Sequence, residues 1–247
     1  MRDIDRLAQT NRWRRVPTGE KLAVTLAALA TALASPSLAV QGAILAVMLA
    51  LALFGAGIPP RDLARAATVP VGFILTGSLA QALQLGAPGG GFGLSLAPPQ
   101  TLQLALLFFL RSLASISALL FLALSTPLTS IIQWLERRGL NPHLADMALV
   151  MFRMVWLLLD CLESGEQALK ARLGHRNFRG LITSHGLLLA ALLPRVLSRG
   201  RRLDSGLAAR GYEGRLVFLS GEARARPLPV AISLAGFLVL YGIGFLA

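Results

Sequence analysis

Five apolar runs occupy residues 22–34, 38–54, 66–85, 101–124 and 228–247, and Arg111 is the one charged residue inside any of them. A helix rises 1.5 Å per residue, so about 20 residues cross a hydrocarbon core roughly 30 Å thick. The third, fourth and fifth runs meet that length. The first two are shorter and are separated only by Ser35-Pro36-Ser37, which predicts a tight helical hairpin accommodated by tilt, local thinning or burial among neighbours. Hydrophobic residues make up 55% of the 247 residues and charged residues 15%, too little charge to cover a soluble protein of this size. The expected fold is therefore all-α, a multi-spanning membrane protein. One cysteine, Cys161, closes no internal disulfide and builds no cysteine zinc site.

The charges fall between the runs. Residues 1–21 carry six basic and three acidic side chains, net +3, and residues 136–226 carry 15 basic and eight acidic, net +7. The stretch 86–100, rich in glycine and proline, carries none. The positive-inside rule then places residues 1–21, 55–65 and 126–227 in the cytoplasm of a cell-membrane protein, and 35–37, 86–100 and the C-terminus outside. The apolar run 22–34 lacks a cleavage signature and is not a signal peptide. The pI near 11.6 suggests nucleic acid, but long apolar runs separate the basic clusters, so the bilayer is the expected partner and nucleic acid is not. Lys21 and Lys170 are the only lysines and neither lies in a phosphate-cradling loop. Any nucleotide energy comes from another chain, and this one is expected to be neither an enzyme nor a cofactor carrier. The glycines of 89–93 read as a flexible loop. The histidines, His143, His175 and His185, are scattered, so no metal site is expected, and Met147, Met151 and Met154 read as adaptable packing.

Four regions follow: a cytoplasmic N-terminal segment (1–21), a four-helix membrane region (22–125), a cytoplasmic domain of long amphipathic helices (126–227) and a C-terminal span (228–247). Within 126–227, Thr126-Pro127 starts a short amphipathic helix that Gly139 and Asn141-Pro142 end. Residues 144–171 and 184–210 read as two long helices, each apolar first and polar second. In the second, Arg195, Arg199 and Arg202 form a separate stripe, continued by Arg210. Counting both as spans would preserve the topology, but Arg153 and Asp160 favour helices at the interface or packed on protein.

Both long helices close with an Ala-Arg pair and a glycine within two residues: Ala171, Arg172, Leu173, Gly174 and Ala209, Arg210, Gly211. Each is an ordinary helix stop, with glycine past the end and arginine against the dipole. Two of them on paired helices are less ordinary, since a guanidinium at a helix tip pairs bidentately with a carboxylate in an acidic groove. These ends, with residues 11–22, Arg111-Ser-Leu-Ala-Ser and Tyr212-Glu213-Gly214, resemble the transmembrane (T) component of energy-coupling-factor (ECF) transporters. The cobalt-type form, CbiQ, is the most similar, over essentially the whole chain. The first signature departs from Ala-Arg-Gly at Leu173, with the glycine one residue later.

The resemblance implies two cytosolic ABC-type ATPase subunits as partners, one receiving Arg172 and the other Arg210. It also implies a membrane-embedded substrate-binding (S) component and a small accessory membrane subunit. ATP-driven closure of the ATPase pair would move both helix tips, and this chain would pass the motion to the S component. The cargo would be cobalt, with nickel the close alternative. Arg111 lies mid-run, where it contacts the S component or a polar group inside the bundle, or else snorkels or bonds a backbone carbonyl. Two competing readings exist. A type I ABC permease subunit is loosely suggested by Glu166-Gln167-Ala168, but the glycine spacing differs. An integral-membrane enzyme would need clustered carboxylates, whereas the acids here are dispersed.

Overall fold

The computed structural model describes residues 7–85, 94–96, 98–171, 178–211, 236 and 242. Two compact units divide the chain: residues 1–131 with 220–247, and residues 132–219. The described residues are helical apart from short turns and one small ribbon, so the chain is an all-α, multi-spanning membrane protein.

In the first unit a 3-10 turn, Arg12–Arg15, leads into α1 (Thr18–Ala34). The hairpin turn follows, and α2 (Leu38–Ala50) runs on into a π-turn, Leu51–Gly55. Next comes α3 (Pro60–Ala82), which begins six residues before the apolar run and takes in Arg61, Asp62 and Arg65. Pro60 at its first position suits a helix start, because its missing N–H has no intrahelical partner there. The third run does not stay helical to its end: β1 (Leu83–Leu85) pairs antiparallel with β2 (Leu94–Leu96), Leu83 opposite Leu96. This ribbon, absent from the sequence expectation, brings α3 back towards α4 (Pro99–Ser125). The C-terminal run lies outside the described residues, Gly236 and Gly242 apart.

α4 is the axis of this unit and packs against α1, α2 and α3. Small residues allow the close approach: Ala28 and Ala32 of α1 and Ala114 and Ala118 of α4 are fully buried, with Ile44, Met48 and Phe121 filling the space between helices. The lipid-facing side is apolar, and Val69 and Phe73 of α3 are each 81% exposed.

Two sets of polar bonds fix the α1–α2 hairpin along α4. At one end Lys21, 2% exposed, donates from Nζ to the Ser125 carbonyl at 2.9 Å, and Asn11 Nδ2 donates to the Leu124 carbonyl at 3.0 Å. At the other end Arg111 donates from an Nη to the Ser35 carbonyl at 2.8 Å. The buried Gln41 donates to the carbonyls of Ala32 and Ser35 at 2.7 and 2.9 Å. Each acceptor is a carbonyl at a helix C-terminus, which the helix itself leaves unpaired. Pairing Lys21 with Ser125 and Ser35 with Arg111 gives one antiparallel register, so the hairpin covers residues 111–125 of α4. The remaining dozen residues, 99–110, run about 18 Å further.

In the second unit α5 (Leu128–Arg137) ends at Gly139, whose φ of +109° few residues but glycine tolerate. Gly139 N–H bonds the Glu136 carbonyl and Leu140 N–H the Leu135 carbonyl, the paired C-terminal bonds of a Schellman motif. Ile132 packs with Ala145 and Leu149 of α6 (Pro142–Ala171). The last helix, α7 (Phe178–Ala208), begins six residues before the expected start at Ser184 and runs through Gly180, Gly186 and Pro194. α6 and α7 are antiparallel. Gly165 faces Leu188 so closely that a Cβ there would collide with the leucine, and Gly200 faces Met154.

Candidate functional site

The two helix tips fare differently. Ala171 is the exposed last residue of α6, and Arg172, Leu173 and Gly174 lie outside the described residues. The second tip is complete. Past Ala208 the chain tightens: Ala209 N–H bonds the Ser205 carbonyl at 3.0 Å, Arg210 N–H that of Leu207 at 3.0 Å and Gly211 N–H that of Ala208 at 3.1 Å. Gly211, with φ +74°, is the left-handed residue that stops the helix. Arg210 is exposed, and among the described residues no acceptor holds its guanidinium. The local sequence therefore builds a rigid helix end that presents a free, permanently charged fork, suited to bidentate pairing with a carboxylate.

Arg111 lies 14 residues from the end of α4 and bonds the Ser35 carbonyl within the bundle. Its Nε and the Oε1 of Gln41 have no partner among the described residues, so this polar cluster is incompletely satisfied. Among the described residues no three His, Cys, Asp or Glu side chains converge as a metal-binding group would.

Sequence reasoning missed Lys21, Asn11 and Trp13. Lys21 and Asn11 hold the last carbonyls of α4, immediately before Thr126-Pro127 leads to α5. Trp13 packs edge-on to Phe121, ring centroids 5.6 Å apart, and lies against Gly55, where a Cβ would approach it to 3.0 Å. The N-terminal segment thus secures the point at which the chain leaves the membrane helices. One signal was available: a lysine at the mouth of an apolar run in a chain with only two lysines.

Among the described residues, four helical segments are long and apolar enough to cross a membrane: Leu38–Gly55, Pro60–Ala82, Pro99–Ser125 and Gly180–Ala208. Residues 10–218 match the family model described as cobalt transport protein, CbiQ. The chain belongs to the CbiQ family. It is 36% identical to the cobalt transport protein CbiQ of Rhodobacter capsulatus, over 94% of this chain and 93% of that one. The Salmonella typhimurium CbiQ is 26% identical over 87% of this chain and 98% of its own length. A putative fused cobalt transport protein CbiMQ of Methanocorpusculum labreanum is 25% identical over 97% of this chain but only 41% of that longer one. The CbiQ match takes in both helix ends, the Lys21 segment and Arg111.

Proposed function

We propose that this CbiQ-family chain is the energy-coupling T component of an ECF importer for cobalt ions. Arg172 and Arg210 each dock into one of two ABC-type ATPase subunits, and the α6–α7 pair passes ATP-driven motion to a membrane-embedded S component. The observation that carries the reading is Arg210 itself, exposed and without a partner among the described residues, on a helix end that Gly211 terminates. The fused CbiMQ relative supports a membrane complex, since the match leaves more than half of that chain to another part.

The register of α6 against α7 supports an interfacial, cytoplasmic-side position for residues 126–227. α6 is apolar through Leu158 and polar from Asp160, whereas α7 carries no Asp, Glu, Lys or Arg from Gly180 to Pro194 and is basic beyond. Because the helices are antiparallel, the apolar half of each lies against the polar half of the other. A pair crossing the bilayer would bring Asp160, Glu163 and Glu166 to the depth of Leu187–Leu193. A pair lying along the surface avoids that cost, which is several kcal/mol per buried charge. This pairing supports reading Gly180–Ala208, though long enough to span, as a surface helix. The net +7 of residues 136–226 supports a cytoplasmic side for that surface, shared with the basic N-terminus.

The test is copurification of the ATPase subunits and metal uptake with Arg172→Glu, Arg210→Glu and the double variant. Each charge-assisted contact contributes about 1.5–3 kcal/mol. Each single variant should leave weakened assembly and reduced uptake, and the double variant should lose the ATPases while still inserting in the membrane. Wild-type assembly by the double variant would reduce both arginines to helix caps.

A further inference from the structure

A cleft of about 280 Å³ opens between α6 and α7, lined by Arg153, Met154, Leu157, Arg199, Arg202 and Leu203. The antiparallel register creates it: Met154 of α6 lies opposite Gly200 of α7, which brings Arg153 level with Arg199 and Arg202. Three arginines thus line one opening, and no carboxylate is among the lining residues. Arg202 is partly tied down, donating to the Ser198 carbonyl at 3.3 Å and to its hydroxyl at 3.4 Å. Neither Arg153 nor Arg199 has a hydrogen-bond or ion-pair partner among the described residues. Three like charges around an apolar floor repel one another, and an anion at the mouth relieves that repulsion.

We infer that this cleft binds the phosphate headgroup of an anionic phospholipid. Its volume is several times the ~30 Å³ that a water molecule occupies in the liquid, enough for a phosphate with its glycerol. Met154, Leu157 and Leu203 offer the floor that a glycerol backbone needs and that an inorganic anion does not. The setting matches the membrane interface. With the pair lying along the membrane surface, the basic half of α7, from Arg195 onward, sits among the headgroups. Elsewhere on the same two helices Met151, Val155, Leu193 and Leu197 are exposed, an apolar surface for acyl chains. The site also accounts for Arg153, a charge in the apolar half of α6. The inference rests on the chain being a membrane protein and not on its coupling role.

The experiment measures lipid retention by the full-length purified protein, using native mass spectrometry with phosphatidylglycerol and phosphatidylcholine of identical acyl chains. Glycerol 1-phosphate serves as a free headgroup. Wild type should retain phosphatidylglycerol at least tenfold over phosphatidylcholine. The triple variant Arg153→Gln, Arg199→Gln, Arg202→Gln should lose most of that preference. A control triple, Arg137→Gln, Arg138→Gln, Lys170→Gln, removes the same charge elsewhere and should keep it. If the pocket triple fails to fold, Arg199→Gln alone should lower the preference at least threefold. Equal losses in both triples would show diffuse attraction and overturn the site. Competition by glycerol 1-phosphate as effective as by the lipid would make it a site for soluble phosphate esters. Unchanged lipid retention with loss of a copurifying protein would assign the arginines to a protein contact.

Discussion

Phe121 and Lys21 are both sealed inside the membrane unit, one an apolar ring and the other a cation bonded to a carbonyl of a neighbouring helix. The α6–α7 pair buries little by comparison. On α7 the buried side chains are Leu188 and Leu192, while Leu187, Leu189, Leu193 and Leu197 are each more than half exposed. α6 shows the same pattern, with Leu144, Met147, Met151, Val155 and Leu158 outward along one stripe. The helices of the second unit carry more charge, yet they also hold long apolar stripes, so composition accounts for only part of the contrast. In the membrane unit buried alanines of α1 and α4 bring those helices close, and Ile44, Met48 and Phe121 fill the space between. Among the described residues of the second unit, α6 meets α7 closely at Gly165 and Gly200, and both helices leave long apolar stripes exposed. The membrane unit turns Lys21, Asn11, Gln41 and Arg111 inward onto helix-end carbonyls, whereas the second leaves apolar stripes and the side chains of Arg153 and Arg199 exposed.

Matched truncations break or sharpen that comparison. Phe121→Ala removes a fully buried ring. Among helices in lipid the transfer term largely cancels, so the cost is mainly the cavity, about 2–3 kcal/mol. Leu197→Ala, at 54% exposure, should cost under about 0.5 kcal/mol in the isolated chain. Reversible unfolding in detergent reads both, and similar costs would erase the distinction between scaffold and surface. Next in size, Lys21→Met leaves the Ser125 carbonyl without its charged donor, at about 1.5–3 kcal/mol. Its loss should also raise proteolysis after Ser125, where the lysine secures the exit to α5. Unchanged cleavage there would confine Lys21 to general packing. The smallest effect belongs to the Lys170–Glu166 pair at 2.8 Å, solvated on both sides: Glu166→Gln should cost about 0.5 kcal/mol or less, and less still at high salt.

Much of this organisation is legible in the sequence because the signals are local. The Ser35-Pro36-Ser37 turn, the helix stop at Gly139 and the glycine after Arg210 are each set by a few neighbouring residues. What was not legible depends on pairing at a distance. Lys21 meets Ser125 across 104 positions, and Arg111 meets Ser35 across 76. The β1–β2 ribbon takes the last three residues of an apolar run that by itself reads as helix, because β2 supplies hydrogen-bond partners that an isolated segment lacks. The early start of α7 was hidden by Gly180, which reads as a breaker but sits in a first turn where its cost is low. The arginine cleft is invisible in one dimension, because Arg153 joins Arg199 and Arg202 only through the register set at Gly165 and Gly200.

The bonds from Lys21 and Asn11 to the end of α4 also set a timetable for the newborn chain. Synthesis proceeds from the N-terminus at about 5–20 residues per second, so the Ser125 carbonyl emerges about 5–20 s after Lys21. Well within that interval α1 and α2 are complete, while the acceptor that will hold the base of their hairpin has not been made. The first helices to enter the bilayer are therefore among the last to be fastened, and they wait for α4 to be threaded before the unit can lock.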